Sequence, residues 1–157
     1  MTPSEINLEL AGNRRKVFTD LALDYTGTLS LHGELLPGVA KRLKQIAGSV
    51  RITVLTADTF GKATSQLAGL PLETRIVNTG ADKAKFVRAL GAERVIAVGN
   101  GRNDAAMMKA AGLGIAVIGP EGAAAELLRV ADVVTRDIRD ALDLIANPLR
   151  LKATLRD

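Results

Sequence analysis

The stretch LALDYTGTL, residues 21–29, decides the fold class of this 157-residue chain. A short apolar run ends in an aspartate, and a threonine- and glycine-containing segment typical of a turn follows it. The apolar run lacks polar alternation, which is the pattern of a strand buried on both faces of a sheet. In parallel sheets, ligands bind at the carboxyl ends of the strands. The stretch therefore predicts a buried parallel strand that delivers Asp24 to a ligand site.

Similar apolar runs recur along the chain, and helix-length segments separate them. The runs lie at 21–23, 52–55, 75–77, 95–98, 115–118 and 132–134. The segments between them are rich in Ala, Leu, Lys and Arg and lie at 38–47, 61–68, 82–90, 104–111, 122–130 and 136–146. This alternation predicts an α/β fold with a doubly wound, mainly parallel sheet.

Two segments of the chain fall outside this alternation of strands and helices. Residues 6–10 alternate apolar and polar side chains, which predicts a half-exposed N-terminal edge strand at about 5–11. Residues 28–36 predict a small β-hairpin flap with His32 and Gly33 at its tip. We expect a single domain over 1–157 with a core at about 17–146, a C-terminal tail at 147–157 and no cap domain. Either the flap or a neighbouring subunit must then cover the site, so homo-oligomerisation stays open.

Composition excludes several classes of protein. The chain has no cysteine, which excludes a disulfide scaffold and thiolate chemistry. Its net charge is +4, but aromatic residues are only 3%, so there is little on which to stack bases and we expect no nucleic-acid partner. The longest apolar stretch, 110–119, is too short to cross a bilayer. The first residues lack a basic and apolar leader, so we expect a cytoplasmic protein.

Polar residues follow the strands at the expected ligand-binding edge, and their chemistry suits phosphoryl transfer. Asp24 is a nucleophile able to form an acyl phosphate. Its carboxylate, that of Asp104, the Asn100 amide oxygen and the Thr26 carbonyl are the hard oxygen ligands that Mg²⁺ prefers. A hydroxyl and an ammonium would hold the phosphoryl oxygens. The phosphate-binding candidates are Thr56 and Ala57 after the second core strand and Lys83 at the start of a helix.

Four motifs resemble the haloacid dehalogenase (HAD) superfamily. They are DYTGTL at 24–29, TAD at 56–58, ADKAKFV at 81–87 and VGNGRND at 98–104. Within that superfamily, DYTGT is similar to the DKTGT of P-type ATPases, and residues 98–117 are similar to the pump pattern GDGxNDAPALKxADVGIA. The resemblance runs from about residue 21 to residue 134. It points to the small, soluble, capless phosphatases that are related to P-type ATPases.

The resemblance implies a role for each matching residue. Asp24 would be the phosphorylated nucleophile, and the Thr26 carbonyl would bind Mg²⁺. Thr56 would bind phosphate, and Lys83 would neutralise the phosphoaspartate, although Lys85 matches the lysine of the motif nearly as well. Asn100 and Asp104 would form the acidic Mg²⁺ motif. Asp58 has a structural interpretation instead, as the N-cap of the helix that follows.

Two residues depart from the family pattern. Thr26 stands where ordinary HAD phosphatases have the aspartate that acts as general acid and base, and losing that group costs roughly 10²–10⁴ in rate. Asn100 stands where most relatives have aspartate, so metal affinity should be modest. The sequence thus predicts a slow Mg²⁺-dependent phosphohydrolase that acts through phospho-Asp24 on a small phosphate ester or acyl phosphate. The alternative is a catalytically weak phosphate-binding or regulatory module, and neither the substrate nor the use of ATP is specified.

Overall fold

The computed structural model describes residues 5–10, 12 and 14–156. In chain order the strands are β1 (Ile6–Leu10), β2 (Arg14–Phe18), β3 (Asp20–Asp24), β4 (Ser30–Leu31), β5 (Glu34–Leu35), β6 (Arg51–Thr56), β7 (Glu73–Ile76), β8 (Val95–Gly99), β9 (Leu113–Val117) and β10 (Val133–Thr135). Six of them form one parallel sheet in the order β10-β9-β8-β3-β6-β7. Each apolar run of the sequence overlaps one of these six strands, which confirms the predicted fold.

Most of the helices lie between these strands, the last two follow β10, and the final one was not predicted. They are α1 (Val39–Ile46), α2 (Ala63–Leu67), α3 (Gly80–Leu90), α4 (Ala105–Ala110), α5 (Ala125–Val130), α6 (Ile138–Ala146) and α7 (Pro148–Leu155). Helix α7 covers most of the predicted C-terminal tail, and Pro148 occupies its first turn, where a missing N–H costs nothing. Leu151 of α7 is fully buried. Among the described residues, no helix combines the length and the apolar character needed to cross a membrane.

The N-terminal strand forms a separate two-stranded sheet. β1 pairs antiparallel with β2, which the sequence did not predict because β2 carries Arg14, Arg15 and Lys16. The predicted half-exposed strand is therefore present, but it is an edge of this hairpin and not of the six-stranded sheet. Residue 11 of the predicted strand and residue 157 of the predicted tail lie outside the described residues.

The core explains why the central strands lack polar alternation. Leu21 and Leu23 of β3 pack on one face of the sheet in a cluster that includes residues of α1 and α6. Ala22 faces the other side and packs in a second cluster with Val87 of α3 and Met107 of α4. Burial on both faces therefore holds at the centre. It does not hold at the edge strand β7, where Ile76 is 58% exposed.

The predicted flap is a tight hairpin of β4 and β5. Its turn residues His32 and Gly33 have φ values of 52° and 82°, the left-handed backbone that two-residue hairpin turns require. The Tyr25 hydroxyl donates a hydrogen bond of 2.8 Å to the Gly33 carbonyl. This bond ties the flap to the turn that directly follows β3.

Candidate active site

The candidate active site lies where the strand order reverses. From β3 the chain continues to β6 and β7 on one side, and from β8 to β9 and β10 on the other. A crevice outside the carboxyl ends of two such central strands is the usual ligand site of an open α/β sheet. Asp24 is the last residue of β3, and Asn100 directly follows β8. The two side chains therefore lie at this crevice.

A buried lysine joins two carboxylates at this point. The Lys83 ammonium donates to Asp24 Oδ1 and to Asp104 Oδ1, both at 2.8 Å. All three residues are at most 5% exposed. Lys85 is exposed, so Lys83 is the lysine that lies in the crevice. Two carboxylates and one ammonium leave the group with one excess negative charge when all three are ionised.

Asp104 has both carboxylate oxygens engaged. Its Oδ2 accepts hydrogen bonds from the backbone N–H groups of Asn100, at 3.1 Å, and Gly101, at 3.0 Å. Its Oδ1 accepts from Lys83. A Cβ at Gly99 would lie 2.4 Å from Asp104 Oδ2, so this close approach requires glycine. Asp104 therefore orients Lys83 and closes the turn after β8, and of its two oxygens only Oδ1 keeps a lone pair for another ligand.

Thr28 is a site residue that sequence reasoning missed. Its hydroxyl lies 2.8 Å from Asp24 Oδ2 and 3.1 Å from Asn100 Oδ1, and the residue is fully buried. Asn100 Nδ2 donates to the Gly122 carbonyl at 3.1 Å, which turns its Oδ1 toward Thr28. One hydroxyl proton thus serves two acceptors that lie side by side. The signal that could have identified it is the position of Thr28 in the DYTGT motif, four residues after Asp24.

The environment shifts the pKa values of two of these groups. Burial, followed by the nearby Asp104 charge, raises the pKa of Asp24 from 3.8 to about 7, although Lys83 and Thr28 oppose the shift. Burial disfavours the charged form of Lys83, but the attraction of Asp24 and Asp104 is stronger in sum and raises its pKa. Lys83 is therefore charged at neutral pH, while Asp24 keeps a proton up to near neutrality.

The residues after β6 lie at the same edge of the sheet. Asp24 is level with Leu55 in the β3–β6 register, so Thr56 follows one residue beyond. The Thr56 hydroxyl accepts the Asp58 N–H at 2.9 Å and keeps its own proton for donation. Asp58 has φ 53° and its carboxylate accepts the Ala63 N–H at 2.9 Å, at the start of α2. Ala57, between them, is exposed.

Thr26 and Gly27 form the turn that leads away from Asp24. Thr26 is half-buried and makes an isolated bridge with Ser30 of the flap. Gly27 has φ 75°, and a Cβ there would lie 2.7 Å from Asn100 Nδ2. Position 26 is therefore paired with the flap through its backbone, and glycine at position 27 allows Asn100 to pack against the turn.

The donor set of the crevice suits a hard divalent cation. Its side-chain ligands are oxygens, and its carboxylates carry more negative charge than Lys83 neutralises. In the described part of the chain, no group of three or more His, Cys, Asp or Glu residues could hold a metal ion. A cation here would therefore meet at most two carboxylates, which is the usual situation of Mg²⁺, since it keeps waters and binds phosphate oxygens. The residues fit Mg²⁺ on this ground.

Comparison of the sequence with known proteins identifies related chains. The profile of the haloacid dehalogenase-like hydrolases matches residues 55–146. An uncharacterised protein of Methanocaldococcus jannaschii is 54% identical over 65 residues, which cover 41% of this chain and 70% of that protein.

Comparison of the fold identifies two kinds of similar structure. One is the cobalt-bound form of deoxy-D-mannose-octulosonate 8-phosphate phosphatase from Haemophilus influenzae, with a TM-score of 0.70, 16% identity and coverage of 83% of this chain and 88% of that one. The other is a zinc-transporting PIB-type ATPase, with a TM-score of 0.62, 30% identity and coverage of 76% of this chain and 20% of that one. At its level of identity, the phosphatase shows a shared fold alone.

Proposed function

The chain belongs to the haloacid dehalogenase-like hydrolases, and from this premise we propose that it is a Mg²⁺-dependent phosphohydrolase that acts through a phosphorylated Asp24. The substrate class is a small phosphate ester or acyl phosphate. One observation carries the proposal: Asp24, Lys83 and Asp104, from three separate parts of the chain, share two hydrogen bonds of 2.8 Å at the carboxyl edge of the sheet.

In the first step, a carboxylate oxygen of Asp24 forms a bond to phosphorus. The bond from phosphorus to the leaving oxygen breaks, and that oxygen keeps the electron pair. Lys83 and Thr28 hold the Asp24 oxygens in place through hydrogen bonds of 2.8 Å, so the nucleophile is oriented before substrate arrives. Lys83 also offsets the negative charge that accumulates on the phosphoryl oxygens. The Thr56 hydroxyl, which accepts the Asp58 N–H and keeps its own proton, would donate to one of them.

Asp24, the Thr26 carbonyl and the Asn100 amide oxygen would hold the cation, with Asp104 contributing through the free lone pair of Oδ1. When bound, Mg²⁺ screens the carboxylates from the incoming phosphate and polarises the phosphoryl group. Without that screening, the excess negative charge of the crevice opposes phosphate binding. Asn100 supplies a neutral oxygen, so we expect weaker cation binding than two or three carboxylates would give.

In the second step, water attacks the phosphorus of phospho-Asp24, which releases inorganic phosphate and restores the carboxylate. Neither step has a proton donor or acceptor at position 26, because a threonine hydroxyl does not exchange its proton usefully near neutral pH. The first step therefore favours leaving groups that depart without a proton, such as acyl or aryl phosphates. The second step is slow and limits turnover.

Hydrolysis of p-nitrophenyl phosphate and acetyl phosphate, with Mg²⁺ and with EDTA, tests the proposal. We expect activity that requires Mg²⁺ and that is abolished by Asp24→Asn. Asp58→Asn is the matched control, since it makes the same change at the same sheet edge and asparagine tolerates both the left-handed φ and the cap. Mg²⁺-dependent activity that survives Asp24→Asn would refute the assignment.

A second candidate function is a phosphate-binding or regulatory module with negligible turnover. The observation that favours it is Thr26 at the position of the general acid. It predicts that Mg²⁺ and inorganic phosphate bind together, measured by calorimetry, while no phosphate compound in a broad panel is hydrolysed. The same p-nitrophenyl phosphate and acetyl phosphate assays therefore decide between the two functions.

A further inference from the structure

The edge strand β7 presents an open side to solvent. Within the described residues, β7 stands at the end of the sheet and pairs with β6 only. Its side chains are largely exposed: Glu73 by 74% and Arg75 by 58%, and Ile76 by 58%. A flat, exposed strand edge offers free backbone groups to another strand.

The backbone direction at this edge follows from one hydrogen bond. The Val77 N–H donates to the Thr56 carbonyl of β6 at 2.9 Å. Because the backbone groups of successive residues in a strand point in opposite directions, those of Glu73 and Arg75 also point toward β6. The N–H and C=O groups of Thr74 and Ile76 therefore point outward.

The sequence of this edge complements itself when reversed. Residues 72–76 read Leu72, Glu73, Thr74, Arg75 and Ile76. If a second copy pairs antiparallel with Thr74 opposite the partner's Thr74, then Glu73 faces the partner's Arg75 and Leu72 faces the partner's Ile76. Threonine pairs, opposite charges and aliphatic pairs all stabilise neighbouring strands. We propose that the chain forms a homodimer through β7, which joins the two sheets into one.

The hydrogen-bond pattern agrees with this register. Because the Thr74 backbone points outward, the two Thr74 residues form a hydrogen-bonded pair that exchanges both N–H···O=C bonds. The Ile76 N–H then meets the partner's Leu72 carbonyl, while the Leu72 N–H is already used in a bond of 2.8 Å to Leu70. Glu73 and Arg75 occupy the non-hydrogen-bonded positions, where facing side chains are closest. Such an interface is isologous and closes after two copies.

The side chains of Arg75 and Glu73 on β7 lie where they can contact a partner strand. The Arg75 guanidinium lies 5.1 Å from the centre of the Phe86 ring, which holds the side chain against α3. Within one chain, Arg75 and Glu73 are 4.0 Å apart, and such an exposed pair contributes little. Both charges are therefore available to a partner.

The dimer leaves both candidate active sites open. The interface runs along the side of β7, whereas Asp24 lies at the carboxyl end of the central strand β3. Antiparallel joining turns the two sites toward opposite rims of the combined sheet. The interface variants should therefore keep the phosphohydrolase activity of the wild type, so a failure of the dimer proposal is distinguishable from a failure of the proposed function.

Sedimentation velocity over a concentration series tests the dimer with charge reversal. We expect the wild type to dimerise, and Glu73→Arg and Arg75→Glu each to raise the dissociation constant at least about tenfold, since like charges then face each other twice. The double variant Glu73→Arg/Arg75→Glu restores opposite charges and should recover most of the wild-type affinity. A wild type that stays monomeric up to about 200 μM, or a double variant as weak as the singles, overturns the proposal.

A backbone variant and a matched control complete the test. Thr74→Pro removes an N–H that points to solvent in the monomer, so the fold, checked by circular dichroism, should persist while the dimer is lost. Val134→Lys is the control, because Val134 is an exposed aliphatic residue of the opposite edge strand, β10. A dimer that survives Thr74→Pro, or that is broken by Val134→Lys, contradicts the assignment to β7.

Discussion

Asp24→Asn should stabilise the folded protein relative to the wild type, and the gain should grow as the pH rises from about 4 to about 8. In the fold, burial and the Asp104 charge raise the pKa of Asp24 from 3.8 to about 7. The folded state therefore binds the Asp24 proton more tightly than the unfolded state, and the free energy of unfolding falls as the pH rises between these two values. Asparagine has no proton to lose, so the variant lacks this loss of stability.

The size of the effect follows from the same shift. A pKa difference of about 3 units corresponds to about 4 kcal/mol, reached in full only above the higher pKa. Asparagine also fits the hydrogen bonds of the site. Its oxygen accepts from Lys83, and its NH₂ donates to the Thr28 hydroxyl, which then donates its own hydrogen bond to the Asn100 amide oxygen. We therefore expect Asp24→Asn to be more stable than the wild type by up to about 4 kcal/mol at about pH 8.5.

Urea unfolding, followed by circular dichroism at several values between about pH 5 and pH 8.5 in the presence of EDTA, measures this difference. The difference between Asp24→Asn and the wild type should grow with pH. If the difference stays constant with pH, the Asp24 carboxyl does not titrate near neutrality in the fold. The excess negative charge of the site would then not control the stability of the fold.

Three further changes test individual contacts. Lys83→Met leaves two buried carboxylates without a cation and should lower the free energy of unfolding by about 3–5 kcal/mol. Lys85→Met is the control and should change the free energy of unfolding by less than about 0.5 kcal/mol. Equal urea midpoints for the two variants would contradict the burial of Lys83. Thr28→Val removes the hydroxyl that donates to the Asp24 carboxylate and should lower kcat by about tenfold, which corresponds to about 1.4 kcal/mol. Thr28→Ser keeps the hydroxyl and should retain most of the wild-type kcat in the p-nitrophenyl phosphate assay. Thr26→Asp introduces a general acid and should raise kcat for alkyl phosphates by about 10²-fold; an unchanged or lower rate in a folded variant would show that proton transfer is not limiting.

The central part of the fold could be predicted because a strand that is buried on both faces consists of an uninterrupted run of apolar residues. Runs such as 21–23 and 95–98 have apolar residues on both sides of the strand, and their strands lie at the centre of the sheet. β2 was not predicted because it carries charged side chains. It lies in a two-stranded sheet, where pairing does not require a fully apolar strand. α7 was not predicted because Asn147-Pro148 is a helix breaker in most contexts, and only the packing of Leu151 shows that Pro148 begins a helix.

Three residues of the candidate site could be predicted to lie together, whereas Thr28 and the contacts within the site could not. Motif order places Asp24, Lys83 and Asp104 at one edge of a parallel sheet, and the structure brings these three side chains within hydrogen-bonding distance. The sequence does not predict that Asp104 Oδ2 accepts hydrogen bonds from two backbone N–H groups. It also does not predict that the Thr28 hydroxyl lies between two acceptors. Those facts depend on the direction in which each side chain leaves its turn, which is set by packing with the neighbouring elements.

The same imbalance of charge links the stability of this site to its proposed chemistry. Lys83 neutralises one of two buried carboxylates, so the other is stable only as the protonated acid or beside a second positive charge. A proton on Asp24 removes its nucleophilicity, whereas a divalent cation preserves it and also attracts phosphate. A tighter second ion pair would stabilise the fold but would leave nothing for the cation to neutralise. If the proposed function is correct, the cost in stability at neutral pH reflects an excess negative charge that the cation would neutralise, since activity often requires a destabilised site.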